Sequence, residues 1–203
     1  MENKTVNGLV LINKGAGMTS QTVVNRVKRL LSADKAGHTG TLDPMATGVL
    51  PVLVGRAVKA SEFLLTSCKH YRATLLLGRE TDTEDVTGTV LEKRPVALTE
   101  QEFLNILPQF RGEIRQIPPM YSALKINGQK LCDLARQGKE VERKPRTITI
   151  HKLECLEFSG ETARLLVHCS KGTYIRTLCK DIGEALGCGG CMASLRRVTA
   201  GEY

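Results

Sequence analysis

The order of apolar runs, chain breakers and capping residues predicts an α+β fold: a mixed, largely antiparallel central sheet flanked by helices, with an inserted basic flap. Three observations carry this. Strand-like and helix-like segments interleave without the regular βαβ rhythm of a parallel sheet. Two long strand patterns, Arg146 to Phe158 and Thr162 to Ser170, are separated only by a Ser-Gly turn. The stretch from Lys125 to Arg146 differs from its flanks, being rich in Lys, Arg, Gln and Gly with one short apolar stripe, Leu131, Leu134 and Ala135. The expected organisation is one domain over residues 1–203 with a basic flap at 125–146 inserted into it. From composition alone the flap reads equally as a closing element over a polyanion or as a solvated helical hairpin.

Each element has its own signal. Gly8 to Lys14 is an apolar run of strand length, broken by Gly15-Ala-Gly17. Thr19 or Ser20 caps a helix through Leu31, whose stripe is Val23, Val27, Leu30 and Leu31. Pro44 suits the first turn of a helix, which would place Asp43 at its N-cap. Val49 to Val54 is a buried strand, and Ala57 to Thr66 is helical. Lys69 to Leu77 alternates, with Tyr71, Ala73, Leu75 and Leu77 on one face. Thr87 to Glu92 is a short strand. Thr99 and Glu102 form a capping box that opens a helix to Leu107. Tyr121 to Ile126 is strand-like, and Gln129 to Gln137 is a short helix stopped by Gly138. Thr173 to Leu186 is a helix closed by Gly187, and Met192 to Thr199 is a last strand.

Composition narrows the function. The chain has 203 residues, 41% hydrophobic, which suits a soluble globular protein rather than a disordered one. No run approaches the ~18 apolar residues of a membrane span, and the polar start Met1 to Thr5 leads straight into a strand, with no signal peptide expected. A cytoplasmic location follows. The formal net charge of +8 favours a polyanion partner, RNA or DNA, through phosphate neutralisation. The seven cysteines are scattered and read as reduced residues of a cytosolic chain. Cys188-Gly-Gly-Cys191 has the spacing of half a zinc site, but no second such pair exists in the sequence, so no metal is expected.

The chemistry concentrates in Lys35 to Leu50, where one carboxylate, Asp43, sits in a Gly- and Thr-rich loop with basic surroundings. Nearby cations favour the ionised form, and such a group can serve as nucleophile or base toward an anionic partner. An Asp before Pro is also a common helix cap or turn residue. No phosphate-cradling G-x-x-x-x-G-K-[ST] or G-x-G-x-x-G follows a strand, so no nucleotide cofactor is expected.

Taken whole, Gly37-His-Thr-Gly-Thr-Leu-Asp-Pro-Met-Ala-Thr-Gly48 resembles the catalytic motif of the TruB-type tRNA pseudouridine synthases. Further blocks resemble the same family in the same order: Leu11 to Lys14 with Gly17 to Ser20, Lys69 to Arg72, Leu77 to Thr83, Gln116 to Lys125 and Cys169 to Arg176. Together they cover nearly the whole chain.

The resemblance implies the pseudouridine synthase fold and isomerisation of uridine in the T-arm of tRNA, at the position usually numbered 55, without metal, nucleotide or redox cofactor. It implies that Asp43 is the catalytic carboxylate, which either adds covalently to the nucleoside or removes a ribose proton to give a glycal. Tyr71 would stack on the flipped-out base and take the C5 proton, and Arg176 would pair with the carboxylate. Tyr174 would support that site, and His38 would fill the stack that the base leaves. Lys14 would contact phosphate, Leu195 would line the uracil pocket, and Asp82 would have a supporting role. Met45 stands where the family commonly has Leu, a volume-preserving change. Family members usually continue past Leu195-Arg-Arg-Val-Thr199 into a small C-terminal RNA-binding module, whereas this sequence ends at Gly201-Glu-Tyr203. A monomer acting on the tRNA T-arm stem-loop is expected. The competing class is a non-catalytic tRNA-binding or folding module of the same fold; an RNA-guided relative acting on other RNAs is a third.

Overall fold

The structure is a computed structural model that describes residues 6–65 and 67–203. The polar start expected at Met1 to Thr5, and Thr66 at the end of an expected helix, lie outside the described residues. In chain order the elements are β1 (Gly8–Lys14), α1 (Ser20–Leu30), β2 (Ala36–His38), β3 (Thr47–Val54), α2 (Ser61–Leu65), β4 (Lys69–Leu77), β5 (Arg79–Thr81), β6 (Val90–Lys93) and α3 (Glu100–Ile106). They continue with β7 (Gly112–Gln116), β8 (Lys125–Ile126), β9 (Gln129–Lys130), α4 (Leu131–Arg136), β10 (Arg146–Phe158), β11 (Thr162–Cys169), α5 (Ile175–Ala185) and β12 (Gly190–Ala200). Single 3-10 segments cover Gly55–Ala60 and Leu107–Phe110. Among the described residues no helix is long and apolar enough to cross a membrane.

The chain divides into two compact units. The first comprises Met1–Arg72, His168–Lys171 and Ser194–Tyr203, and the second Ala73–Val167 and Gly172–Ala193.

In the first unit β3 is the organising strand. β1 pairs with it antiparallel from Gly8↔Val54 to Lys14↔Gly48. On its other edge β2 pairs antiparallel near its end, and β12 pairs parallel near its start, Arg196↔Thr47 and Arg197↔Gly48. Gly48 has φ +102°, and a Cβ there would collide with the Arg197 carbonyl, so only glycine lets β12 come this close. α1 is capped by Thr19, whose hydroxyl accepts from Thr22 N at 3.0 Å, and it buries Val23, Val24 and Val27. This helix packs on β2 and β3, with Lys28 and Arg29 exposed in its last turn.

In the second unit β10 pairs antiparallel with β7 from Arg146↔Gln116 to Ile150↔Gly112. The core holds Leu75 of β4, Ile148, Ile150 and Leu153 of β10, Leu165 and Val167 of β11, and Leu178 and Ile182 of α5. Phe103, from the helix opened by the Thr99–Glu102 capping box, stacks on Phe158 with ring centroids 5.0 Å apart.

Three expectations are corrected here. Tyr121 to Ile126 forms a strand only at Lys125–Ile126, because the preceding backbone bonds elsewhere: Ser122 O accepts from Cys132 N at 3.0 Å and Leu124 O from Leu131 N at 2.8 Å. Gln129 and Lys130 are not helical. They close a two-residue hairpin on Lys125 and Ile126, with Asn127 and Gly128 both at positive φ as an Asn-Gly turn requires. The strand expected at Thr87 to Glu92 starts at Val90, since Thr87 to Thr89 belong to a turn held by Asp82 and Asp85.

Candidate active site

The Asp43 loop is an irregular segment between β2 and β3, held from below by polar side chains that have left solvent. Asp43 is not a helix cap. Ala46 N donates to Asp43 O at 3.0 Å, which makes residues 43–46 a β-turn with Pro44 at its second position, where a fixed φ is favourable. Strand β3 begins at Thr47, so the chain extends where a helix would have to wind. Ser20, buried in the first turn of α1, accepts from Leu42 N at 2.8 Å and donates to Leu42 O at 3.0 Å. Gly17 N donates to Pro44 O at 2.8 Å.

Two cations complete the support. Lys14 is 1% exposed, and its ammonium donates to Gly15 O (2.9 Å), Pro44 O (3.1 Å) and Ala46 O (2.7 Å). Burial lowers its pKa while Asp43 raises it. Its ammonium therefore lies beneath the loop rather than on a surface that a phosphate could reach. Arg197 of β12, also 1% exposed, donates from Nε to Val49 O (2.7 Å) and from Nη2 to Gly40 O (3.1 Å). One guanidinium thus grips the loop on both sides of Asp43, which itself is half-buried.

Tyr71 of β4 is buried, within the electrostatic reach of Arg197 and Asp43. Burial raises the phenol pKa and Asp43 adds to the rise, while Arg197 opposes it by charge. Lys69, two residues earlier on the same face, is also buried and donates to Ser67 O at 2.6 Å. His38 is half-buried at the end of β2, and its Nδ1 accepts from Gly40 N at 3.3 Å. Burial, then the charge of Arg197, lowers its pKa and favours the neutral ring. Leu195 is buried on β12, two residues before Arg197 and on the same face.

The remaining expected residues belong to the second unit. Arg176 is buried in the first turn of α5, donating to Thr83 O (3.0 Å) and Tyr121 O (2.8 Å), with Nε 3.9 Å from Asp85. Tyr174 precedes that helix, its backbone held at both N and O by the Gln116 amide (3.1 and 3.2 Å). Asp82 is exposed and accepts from Thr89 N at 2.7 Å, closing its own turn. A carboxylate beside Arg176 is Asp85, 5% exposed, which also accepts from Thr87 N, Thr87 Oγ1 and Thr83 Oγ1 at 2.5–2.9 Å. Burial pushes the Cys191 thiol up to about 11, and Cys188 Sγ donates to the Gly183 and Gly189 carbonyls.

Within the first unit, Asp43, Tyr71 and Lys14 share one electrostatic neighbourhood, and His38 joins it through Arg197. Sequence reasoning passed over Arg197, Lys69 and Asp85. A signal existed for the first two: a basic residue falling in step with apolar ones in an alternating strand, Leu195 with Arg197 and Lys69 with Tyr71. Asp85 was marked only by its flanking threonines, Thr83 and Thr87.

Residues 28–175 match the model of the TruB family pseudouridylate synthase N-terminal domain, and residues 176–203 that of the tRNA pseudouridylate synthase B C-terminal domain. A tRNA pseudouridine synthase B of Pseudomonas fluorescens is 55% identical over 200 residues, 98% of this chain and 66% of that protein. Another of that name, from Francisella philomiragia, is 54% identical with the same coverage. The chain thus spans 66% of the length of these curated relatives. Among solved structures, a Cbf5-Nop10-Gar1 complex aligns with TM-score 0.75 and 33% identity over 97% of this chain and 50% of that one. An H/ACA RNP bound to a substrate RNA containing 2′-deoxyuridine aligns with TM-score 0.71 and 31% identity over 96% and 47%.

Proposed function

The chain belongs to the TruB family of pseudouridylate synthases, and on that premise we propose that it isomerises uridine to pseudouridine in the T-arm of tRNA, at position 55. The observation that carries the reading is the Asp43 turn: a half-buried carboxylate on backbone pinned by Ser20, Lys14 and Arg197, beside the buried hydroxyl of Tyr71. A loop that only bound RNA would not need its backbone held by two buried cations, since phosphate contacts tolerate mobile lysines on a surface.

The reaction is redox neutral. The bond from N1 to the ribose C1′ breaks, the uracil turns, and C5 bonds to C1′. The proton leaving C5 is balanced by one gained at N1. Asp43 acts on the nucleoside, and Tyr71 stacks on the base and receives the C5 proton. Arg176 pairs with the Asp43 carboxylate, with Tyr174 beside it. The base must first leave the RNA stack, at a cost of a few kcal/mol. The neutral ring of His38 fills the vacated place, and Leu195 lines the base pocket. The protein works as a monomer in the cytoplasm on the T-arm stem-loop, and the flap at 125–146 closes on the RNA backbone.

The deciding experiment incubates the protein with an unmodified T-arm stem-loop and assays for pseudouridine. Wild type is expected to convert it, and Asp43→Asn to bind it without product. Binding by wild type with no conversion would favour the alternative, a tRNA-binding or folding module of the same fold.

A further inference from the structure

We propose that Glu84 is a positioning residue for the isomerisation, acting through Arg176: its left-handed backbone aims the Thr83 carbonyl at that guanidinium, and its carboxylate is hooked by Thr177 to the helix that carries Arg176. The proposal rests on the reading in which Arg176 pairs with the catalytic carboxylate, and deepens it.

Two successive residues of α5 grip three successive residues of the loop between β5 and β6. Arg176 donates from Nη1 to Thr83 O at 3.0 Å, and its Nε stands 3.9 Å from Oδ2 of Asp85. Between these two contacts, Glu84 Oε2 accepts from Thr177 Oγ1 at 2.6 Å. The Glu84 side chain is 11% exposed, so this bond is made largely out of water, where a carboxylate without a donor is costly. Lys180 comes no nearer to it than 3.9 Å and also faces Glu184 at 3.4 Å, which leaves the Thr177 hydroxyl as the closer tie. The backbone is held as well: Glu84 N donates to Thr81 O (3.1 Å), and Glu84 O accepts from Met192 N (3.0 Å).

Three non-glycine residues have positive φ among the described residues. Asn127 serves the flap hairpin and Ser32 follows α1, whereas Glu84, at φ +63°, sits between two residues that touch Arg176. A left-handed backbone is unfavourable for a residue with a side chain and persists only where its surroundings hold it. The φ of Glu84 sets the plane of the peptide that joins it to Thr83, and with it the direction of Thr83 O. At an ordinary negative φ that carbonyl would turn away from Arg176. The Thr177 hook thus offsets the strain of a turn that supplies Arg176 with one of its backbone acceptors, Tyr121 O at 2.8 Å being another. Both acceptors orient the guanidinium plane, and a planar donor fork works only when that plane faces the carboxylate. A small misplacement of such a group is felt in the rate of the chemical step.

The test compares wild type with Glu84→Ala, Glu84→Gly, Glu84→Gln, Thr177→Val and the double variant Glu84→Ala/Thr177→Val under single-turnover conditions on the T-arm stem-loop. Glu84→Ala loses the hook and keeps the strain; it is expected to slow the step by about 30-fold. KM for the stem-loop should change less than about threefold, since uniform binding is untouched. Thr177→Val removes the same hook from the helix side and should be slowed similarly, so the test survives a poorly folding Glu84→Ala. The double variant should be no slower than Glu84→Ala, because only one bond is lost. Glu84→Gly is at ease at positive φ and should lose less than Glu84→Ala, while Glu84→Gln still accepts from Thr177 and should recover most of the rate. Full additivity in the double variant, a Gly variant slower than the Ala one, or a Gln variant as slow as the Ala one would overturn the proposal. A readout independent of activity is the 15Nε resonance of Arg176, assigned in wild type by through-bond correlation. It should move in Glu84→Ala and Thr177→Val and return toward its wild-type position in Glu84→Gln. An unmoved resonance in the folded variants would overturn the proposal alone. Failure of wild type to make pseudouridine would instead reject the functional reading and leave the resonance test standing.

Discussion

The loop around Asp43 and the flap at 125–146 are both poor in regular structure, yet they are held by different physics. Every turn of the Asp43 loop hands its carbonyls to a buried donor: Leu42 to Ser20, Pro44 and Ala46 to Lys14, Gly40 and Val49 to Arg197. The flap has one buried anchor, Leu131, while its ion pairs, Arg136 with Asp133 and Arg143 with Glu140, join side chains with an exposed acidic partner. Surface pairs of that kind contribute little to stability. Irregular backbone is therefore rigid or yielding according to where its polar groups find partners, and catalysis asks for the first kind whereas closure over a ligand asks for the second.

The largest effect should come from Lys14→Met, which keeps the apolar stem but removes the ammonium from the Ala46 carbonyl and leaves Pro44 O with Gly17 N alone. A loss of about 3 kcal/mol in unfolding free energy is expected from three charge-assisted bonds, together with a severe loss of turnover. Chemical denaturation and the stem-loop assay read both, and a variant as stable as wild type would show the loop to be held by its backbone alone. The flap should behave in the opposite way. Replacing the exposed Lys125, Lys130, Lys139 and Lys144 by Gln should alter stability by no more than about 0.5 kcal/mol for each site. RNA affinity should nevertheless fall, and the slope of log affinity against log salt should flatten by up to about 3. An unchanged slope would place the RNA phosphates elsewhere.

A smaller effect concerns pH. His38 has a depressed pKa in the folded protein, so the unfolded chain binds its proton more readily. Stability linked to His38 is complete above about 6.5, the unfolded value, and is lost as pH falls from there through the folded value. Melting temperatures of wild type and His38→Gln measured from pH 8 to 5 should therefore converge in acid. Parallel curves would mean that the ring accepts a proton without penalty.

Much of this was legible in the chain. The alternation of Lys69 to Leu77, the Thr19 cap and the Thr99–Glu102 box are local signals, and each appears where it was expected. The Asn127-Gly128 hairpin was equally local and was passed over in favour of helical propensity. The Asp43 turn was misread for a different reason. Asp-Pro satisfies both a helix start and a β-turn, and only the strand that follows decides between them.

By itself the sequence determined the α+β class, the order of most elements, the family, and the candidate residues Asp43, Tyr71 and Arg176, because periodicity, capping and motif are properties of neighbouring residues. Tertiary structure alone decided that Lys14 lies under the loop, that Asp85 stands beside Arg176, and that Arg197 grips the Asp43 loop at Gly40 and Val49. Those facts depend on which buried carbonyl or hydroxyl a charged side chain meets from a distant strand. Asp43 and Arg197 are 154 positions apart, and no local pattern carries that encounter.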